Sequence, residues 1–143
     1  MIRLATVEDL SELYMMLHVM HSEANDVSPI NSEKLTNAIS TALHKGVVLI
    51  FEKDRKIVGS IGGMESTDWW STKKYLSDMW FFVYKEHRKS KAALTLVKSF
   101  LQVCKEAKVK VKLGHVYSGD LDRKDNFFEL LGLKKTGSLY AEA

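Results

Sequence analysis

Hydrophobic and polar positions along the chain follow two different periods, and each period predicts its own kind of element. Apolar residues recur every three or four positions over residues 10–20 and again over 35–43, the spacing that lines one face of an α-helix. Residues 47–52 and 57–65 are instead short, nearly continuous apolar runs, joined by the polar stretch 53–56. Such runs are typical of buried strands, so the first half predicts two helices followed by a β-hairpin.

The ends of these elements carry matching signals. Thr6 is a good N-cap for the first helix, which follows a short strand at residues 2–4, and Ser32 is a good N-cap for the second. Gly46 follows the second helix, and glycine commonly ends a helix. Glycines inside the strand at 57–65 indicate a bulge or the close approach of another backbone.

A strand, a basic loop and a helix follow one another in the centre of the chain. The apolar, aromatic run at residues 75–84 predicts a buried strand, and apolar residues spaced over 93–104 predict a helix with one buried stripe. The join between them is short and basic, from His87 to Lys91. Free N–H groups and the positive end of a helix dipole meet at such a join and favour a bound anion. A solvent-exposed connection with hydrated lysines is the alternative.

The last third predicts three more elements. Residues 109–117 open by alternating apolar side chains with lysine, which predicts a strand with one buried and one basic face. A turn at 118–122 leads into a helix with Phe127 and Phe128 on its packed side, and a closing strand is predicted at 133–140. The predicted order of elements is therefore β-α-α-β-β-β-α-β-α-β.

Composition narrows the class of protein. The 143 residues, 45% hydrophobic and 27% charged, are ordinary for one globular domain spanning residues 1–143. The net charge of +3 suits an anionic ligand but is too small to indicate nucleic acid. A single cysteine, Cys104, excludes an internal disulfide framework, and its place on an apolar helix stripe predicts a small core residue. The sequence shows no signal peptide and no apolar run of membrane-spanning length, so a cytoplasmic location is expected.

The central strand, loop and helix resemble the acetyl-CoA-binding motif of the GNAT superfamily, the acyl-CoA-dependent N-acyltransferases. That motif has a valine near the end of the fourth strand, and five residues later it opens as Arg/Gln-x-x-Gly-x-Gly/Ala. Here Val83 is followed five residues later by Arg88, and Ala93 closes the pattern, while Lys91 stands at the first glycine. The opening Ile-Arg-x-Ala-Thr-x-x-Asp, residues 2–9, is also similar to the family.

The resemblance implies an α/β GNAT fold, with a central mixed, mostly antiparallel sheet of six to seven strands, about four flanking helices and a cleft where strands 4 and 5 splay apart. It also implies acetyl-CoA as co-substrate, no metal, and direct transfer of the acetyl group to an amine. The pantetheine arm would lie along the strand edge and the pyrophosphate at the basic loop. The cofactor-binding residues expected on this basis are Phe82, Val83, Arg88, Lys89, Ser90, Lys91, Ala92, Ala93 and Phe128.

Catalysis would need groups that move protons. Phe128 stands where the family often has a tyrosine that protonates the departing CoA sulfur, in the ending Tyr-x-x-x-Gly-Phe, and phenylalanine cannot donate a proton. An alkylammonium has a pKa near 10, so the acceptor must also lose a proton before it attacks. Candidates for acid–base catalysis are Asp78, Glu65, His115 and Tyr117, and a chain of water molecules is an equal alternative.

The acceptor amine, on a small molecule or a protein, is not specified by the sequence. Glu23 and Asp26, before the second helix, are candidates for binding a cationic acceptor. Trp69 and Trp70 form either a flap over the core or part of an acceptor pocket or interface.

Other functions are weighed against the transferase. A non-catalytic CoA-binding or protein-interaction module on the same fold is the alternative, and Phe128 and Lys91 support it. A nucleic-acid-binding domain would need aromatic residues clustered among its lysines, which this chain lacks. His18 and His21 are three residues apart without a third ligand at suitable spacing, so no metal site is expected. Neither a nucleic-acid nor a membrane partner is expected, and assembly as a homodimer is left open.

Overall fold

The computed structural model of the protein describes residues 1–24, 28–114 and 120–142. Within them the chain forms five strands and four α-helices, and two short 3₁₀ turns, at Val7–Asp9 and Lys85–His87. In chain order the strands and helices are β1 (Ile2–Leu4), α1 (Leu10–Glu23), α2 (Ser32–Lys45), β2 (Val47–Lys53), β3 (Lys56–Thr67), β4 (Lys74–Val83), α3 (Ala92–Glu106), β5 (Lys110–Lys112) and α4 (Leu121–Leu130). Through α3, these elements lie where the hydrophobic pattern predicts them.

The strands form a single sheet in the order β1-β2-β3-β4-β5. Neighbouring strands are antiparallel from β1 to β4, and β5 runs parallel to β4. The expected α/β architecture, a mixed, mostly antiparallel sheet with four flanking helices, is therefore confirmed. In the described residues the sheet has five strands, whereas six to seven were expected.

The sheet ends sooner than the sequence pattern predicts. β5 covers only Lys110–Lys112 of the strand expected at 109–117, whose last three residues lie outside the described part of the chain. The closing strand expected at 133–140 is wrong, because these residues form no strand and Leu139 and Tyr140 are exposed. The three-residue edge strand β5 offers few main-chain partners, and residues 134–140 are exposed, so they have no buried face that would fix the register of a further strand.

Helices pack against both faces of the sheet and bury a separate apolar cluster on each. α1 and α2 cover one face, in a cluster that includes Trp80 and Phe82 of β4. α3 and α4 cover the other face, in a cluster that includes Phe81 and Val83. Because successive side chains of a strand point to opposite faces, β4 contributes to both clusters and lies between the two helical layers.

The ends of α2 show one correction and one confirmation. Asn31 rather than Ser32 caps the helix, since its side-chain oxygen accepts the N–H of Lys34 at 2.9 Å. Gly46 ends the helix as expected, but its φ of −115° is one that most residues adopt. Position 46 instead requires glycine for steric reasons, because a Cβ there would lie 2.2 Å from the carbonyl oxygen of Gly63 on β3.

A buried carboxylate ties the start of α1 to the sheet. Asp9 accepts two hydrogen bonds from the Arg3 guanidinium, at 2.8 and 2.9 Å, and one from the N–H of Thr6 at 2.8 Å. Arg3 also donates to Glu52 on β2 at 2.6 Å. The Arg3 guanidinium, helped by the Thr6 N–H, holds the pKa of Asp9 below its usual range.

Asp9 should therefore make the protein less stable in acid. Its folded pKa lies below the unfolded value of about 3.9, so the stabilisation is complete above that pH and is lost as the pH falls through the folded pKa. We expect Asp9→Asn to melt below the wild type at neutral pH and the difference between the two melting temperatures to shrink as the pH falls below about 3.9. Asp54→Asn, in the exposed β2–β3 turn, is the matched control and should keep the wild-type dependence. Parallel curves for Asp9→Asn and the wild type would contradict this assignment.

Burial decides two predictions about apolar residues. Cys104 on α3 is buried and burial raises the pKa of its thiol, so its assignment to the core is confirmed. Trp69 and Trp70 are 92% and 67% exposed and contact each other edge to face, so the core flap is wrong. The last residues of β3 are exposed as well, which shows that the core stops before this end of the hairpin.

Among the described helices, none combines the length and the apolar character that crossing a membrane requires.

Candidate active site

β4 carries a bulge at Met79, close to the point where β5 stops pairing with it. Gly62 of β3 lies opposite Trp80 and Gly63 lies opposite Asp78, so Met79 between them has no partner residue. β5 pairs with β4 only on the N-terminal side of this bulge. Beyond it, no strand in the described part of the chain pairs with the edge of β4 that faces away from β3. The bulge expected from the glycines and the cleft between strands 4 and 5 are both confirmed.

Phe81 and Val83 direct their main-chain groups toward this open edge. The N–H of Tyr84 donates to the carbonyl of Val58 on β3 at 2.9 Å, so Tyr84 faces β3. Because main-chain direction alternates along an antiparallel strand, Phe82 also faces β3, while Phe81 and Val83 face the cleft. Phe82 therefore directs its main-chain groups into the sheet and cannot offer them to a ligand in the cleft. Phe81 and Val83 are the residues whose main-chain groups are directed toward the cleft. Counting back by two from Val83 would have found Phe81 in the sequence.

The loop after β4 and the first turn of α3 form a group of main-chain donors. The Ser90 hydroxyl donates to the carbonyl of His87 at 2.5 Å and accepts the N–H of Ala92 at 3.2 Å, which holds the loop in shape. In the part of the chain that the structure describes, the N–H groups without an acceptor here include those of Lys89, Lys91 and Ala93. Together with the positive end of the α3 dipole, these donors favour an anion.

Lys91 takes its position in this loop without backbone strain. Its φ of −78° and ψ of −1° lie in the ordinary right-handed region, so the conformation does not require the glycine of the family motif. The residue is exposed. A lysine is therefore compatible with the donor-lined loop.

Arg88 connects the end of β4 to the end of α1. Its Nε donates to the carbonyl of Val83 at 2.8 Å, and its guanidinium also donates to the Glu23 carboxylate at 2.5 Å. Its guanidinium carbon lies 5.1 Å from the centre of the Phe82 ring. The structure thus brings a predicted cofactor residue and a predicted acceptor residue into one ion pair, so Glu23 is already occupied by a cation.

Lys124 is a second cation of this region and is not among the site residues predicted from the sequence. It is half-buried on α4, and burial lowers its pKa, with a smaller effect from the positive charge of Arg88. Lys124 precedes Phe128 by four residues, so the two share one face of α4. That spacing is the signal that could have found it once Phe128 was placed at the site.

An aromatic cluster joins α4 to the open edge of β4. The Phe81 ring lies 6.3 Å from that of Phe127 and 6.4 Å from that of Phe128, centre to centre. Phe128 therefore packs directly behind a residue whose main-chain groups face the cleft. Its phenyl ring contributes apolar contact and no proton.

The candidates for acid–base catalysis occupy different places. Asp78 lies where β4 and β5 part, and its carboxylate accepts the N–H of Gly114 at 2.9 Å. Glu65 is exposed further along β3, with Lys74 at 3.5 Å. His115 and Tyr117, like the acceptor candidate Asp26, lie outside the described residues. Asp78 is thus the described candidate that lies at the cleft itself.

Trp69 and Trp70 remain candidates for acceptor binding by exposure alone. They lie at the tip of the β3–β4 hairpin, where the neighbouring Asp68 pairs with Lys112 of β5 at 3.1 Å. The tip belongs to the same end of the sheet as β5, several residues before the bulge. The structure does not bring the indole rings together with the loop that carries Arg88.

A cavity lies on the opposite face of the sheet from α3, between α1, α2 and β4. Its volume is about 220 Å³. The lining residues are Leu17, Met20, His21, Ile30, Leu35, Ala38, Ile39, Met79 and Trp80. The apolar helical residues among them, all except His21, match the periodic positions that are predicted to form the core. The sequence pattern alone therefore could not distinguish packed from unfilled space.

His18 and His21 do not form a metal site. The His18 ring packs beside Tyr14, at 4.6 Å between ring centres, whereas Nε2 of His21 lies 2.7 Å from the carbonyl oxygen of Ser28. No group of three or more potential ligands occurs among the residues that the structure describes.

The sequence matches no protein-family model and no curated protein, but solved structures share its fold. A possible acetyltransferase from Clostridium difficile 630 is 18% identical with a TM-score of 0.77, covering 100% of this chain and 95% of that chain. A predicted acetyltransferase from Clostridium acetobutylicum, solved with acetyl-CoA, is 16% identical with a TM-score of 0.75, covering 100% and 95%. A GNAT family acetyltransferase from Staphylococcus aureus subsp. aureus USA300_TCH1516 is 17% identical with a TM-score of 0.67, covering 100% and 97%. This chain therefore has the GNAT fold.

Proposed function

We propose that this protein, whose chain has the GNAT fold, is an acetyltransferase that moves an acetyl group from acetyl-CoA directly to an amine. The observation that supports this most is that two binding features follow each other along the chain. The open edge of β4 at Phe81 and Val83 leads into the donor-lined loop at residues 89–93. A ligand with an amide-containing arm and a phosphate end is complementary to both features in that order.

Different residues bind the pyrophosphate, the pantetheine arm and the acetyl group of acetyl-CoA in this proposal. The free N–H groups of the loop donate to the pyrophosphate oxygens, and Lys124 adds positive charge from α4. Main-chain groups of Phe81 and Val83 pair with the amides of the pantetheine arm, as an added strand would. Acetyl-CoA supplies the activated acetyl group. A main-chain N–H at the edge of β4 then polarises the carbonyl oxygen, and the two binding features orient it for attack.

Removal of a proton from the amine is the remaining task. Asp78 accepts that proton in this proposal, directly or through water, because its carboxylate lies where β4 and β5 part. The N–H of Gly114, which donates to it, helps to hold the carboxylate in place. Glu65, His115 and Tyr117 remain candidates for the same task.

Two measurements test the proposed function. Calorimetry with CoA and with 3′-dephospho-CoA should show binding of both, since the donor-lined loop receives the pyrophosphate that they share. Thiol release from acetyl-CoA should then rise when a panel of amines is added. Binding of CoA without transfer to any amine would replace this proposal with a non-catalytic CoA-binding module, which the phenylalanine at 128 favours. Absence of binding at millimolar CoA would overturn both.

Phe128→Tyr should accelerate transfer if departure of the thiolate limits the rate. The variant places a phenol beside Phe81 at the open edge of β4, and a positioned proton donor contributes roughly 10²–10⁴-fold. A CoA thiol has a pKa near 8.5 and leaves fairly well by itself, so we expect the low end of that range. The matched control is Phe127→Tyr, because Phe127 packs on the same Phe81 ring. Equal single-turnover rates for the two variants and the wild type would show that the thiolate leaves unaided.

A further inference from the structure

The cavity between α1, α2 and β4 is almost entirely apolar. Its walls are aliphatic side chains of the two helices, and its sheet side is formed by Met79 and Trp80. Trp80 is 4% exposed, and its Nε1 donates to the Ser60 hydroxyl at 3.0 Å, so this wall is rigid. Among the lining residues that the structure describes, His21 is the one with an ionisable side chain.

The cavity reaches β4 at the residue where its open edge begins. Met79 is both the bulged residue of β4 and part of the cavity wall. Trp80 belongs to the apolar cluster under α1 and α2, whereas Phe81 and Val83 belong to the cluster under α3. A molecule in the cavity therefore approaches the edge of β4 from the face opposite to α3. Acetyl donor and acceptor can thus meet across the edge without competing for space.

The tautomer of His21 suits it to accept a proton. Its Nε2 lies 2.7 Å from the carbonyl oxygen of Ser28, and a carbonyl oxygen can only accept, so Nε2 carries the hydrogen of this bond. In the neutral ring Nδ1 then has a free lone pair. The ring is also half-buried and held in one orientation by this bond.

The charge of the surroundings argues against a polycationic acceptor. Glu23, the carboxylate two residues after His21 in α1, is engaged by the Arg88 guanidinium at 2.5 Å. No carboxylate lines the cavity among the described residues. Against these walls, a second or third ammonium group would have to lose its hydration without a counter-charge from the residues that the structure describes, which is costly.

The size of the cavity limits the apolar part of the acceptor. A dry cavity of roughly 150 Å³ lined by aliphatic and aromatic side chains is known to take up benzene. The cavity here, at about 220 Å³, has room for a phenyl ring with a two-carbon arm. A larger or branched polar group would not fit without movement of α1 or α2.

We infer that this cavity is the acceptor site and that it takes a monoamine carried on a compact apolar group, with His21 Nδ1, in place of Asp78, receiving the proton of the amine. The inference rests on the proposed acetyl transfer. In the step, the amine nitrogen forms a bond to the acetyl carbon and one N–H proton passes to Nδ1. The C–S bond of the thioester breaks, its electron pair stays on the CoA sulfur, and the thiolate is protonated from solvent. Oxidation states do not change, so no further reactant is needed.

The first test is substrate preference. Thiol release from acetyl-CoA should give a kcat/KM for 2-phenylethylamine at least about tenfold above the values for ethylamine and for spermine, because only the first fills the cavity. Ala38→Leu, which fills part of the cavity from α2, should remove that preference and leave CoA affinity unchanged. Ala107→Leu, at the exposed end of α3, is the control and should behave as the wild type. Equal use of the three amines, or preference for spermine, would overturn the inference while leaving acetyl transfer established.

The second test separates the role of His21 from that of the cavity. His21→Gln should lower kcat for 2-phenylethylamine by about 10²-fold or more, with CoA affinity and the melting temperature retained. Calorimetric titration of the CoA complex with 2-phenylethylamine, for the wild type and for Ala38→Leu, measures binding of the amine to the cavity without turnover. Binding that Ala38→Leu abolishes would support the site even if transfer were absent, in which case the proposed function alone would fail. Unchanged kcat in His21→Gln would remove the proton-accepting role, and lack of binding would remove the site.

Discussion

Replacing Gly62 with alanine should lower the free energy of unfolding by about 3 kcal/mol, because it overpacks the core at the bulge. A Cβ at this position would lie 2.3, 2.5 and 2.6 Å from three atoms of the Trp80 indole ring. The ring cannot move aside easily. It is buried, and its Nε1 donates to the hydroxyl of Ser60, which in turn donates to the carbonyl of Leu49 at 2.8 Å. Shifting the ring would break this buried chain of hydrogen bonds.

Chemical and thermal denaturation measure the effect. A loss of that size corresponds to a fall in melting temperature of about 6–12 °C for a chain of this length. Gly137→Ala is the control, since nothing lies within 4 Å of the Cβ that it would add. Trp80→Leu should also reduce the cost of Gly62→Ala, because it removes the ring that the new methyl group meets. Stability of Gly62→Ala within about 0.5 kcal/mol of the wild type would show that the sheet accommodates a methyl group here.

Arg88→Ala should weaken CoA binding by about 1.5–3 kcal/mol, roughly 10- to 100-fold in the dissociation constant. The guanidinium holds the donor-lined loop to the carbonyl of Val83 and to the Glu23 carboxylate. Without it the loop loses its link to both elements, and the site loses a positive charge. Calorimetric titration with CoA gives the dissociation constant directly.

Two further variants define what the arginine does. Lys105→Ala removes the same charge from the other end of α3, about 20 Å away, and should bind CoA like the wild type. Glu23→Gln keeps the guanidinium and removes its ionic partner. If Arg88 acts by anchoring the loop, Glu23→Gln should also weaken binding. If it acts through its own charge, Glu23→Gln should leave binding unchanged or strengthen it. Wild-type affinity in Arg88→Ala would exclude both roles.

Local pattern in the sequence was sufficient for most elements and for the place of the donor-lined loop. The three- and four-residue spacing of apolar positions identified α1, α2 and α3, and the apolar runs identified β2, β3 and β4. The spacing from Val83 to Arg88 and Ala93 placed a donor-lined loop directly after the strand whose edge is open. These features depend on residues close together in the chain, so their chemistry is visible in the sequence.

Tertiary structure alone decided which distant residues meet. Glu23 and Arg88 are 65 positions apart and form an ion pair because α1 packs beside the end of β4. The bulge at Met79 shifts the register of β4 against β3 by one residue, and composition does not carry that register. The closing strand expected at 133–140 does not form, and residues 134–140 stay exposed because they bury no apolar face against the rest of the chain. The cavity beside His21 exists only because α1 and α2 leave space above Trp80, and unfilled space between helices depends on how they pack and not on the periodicity of either one.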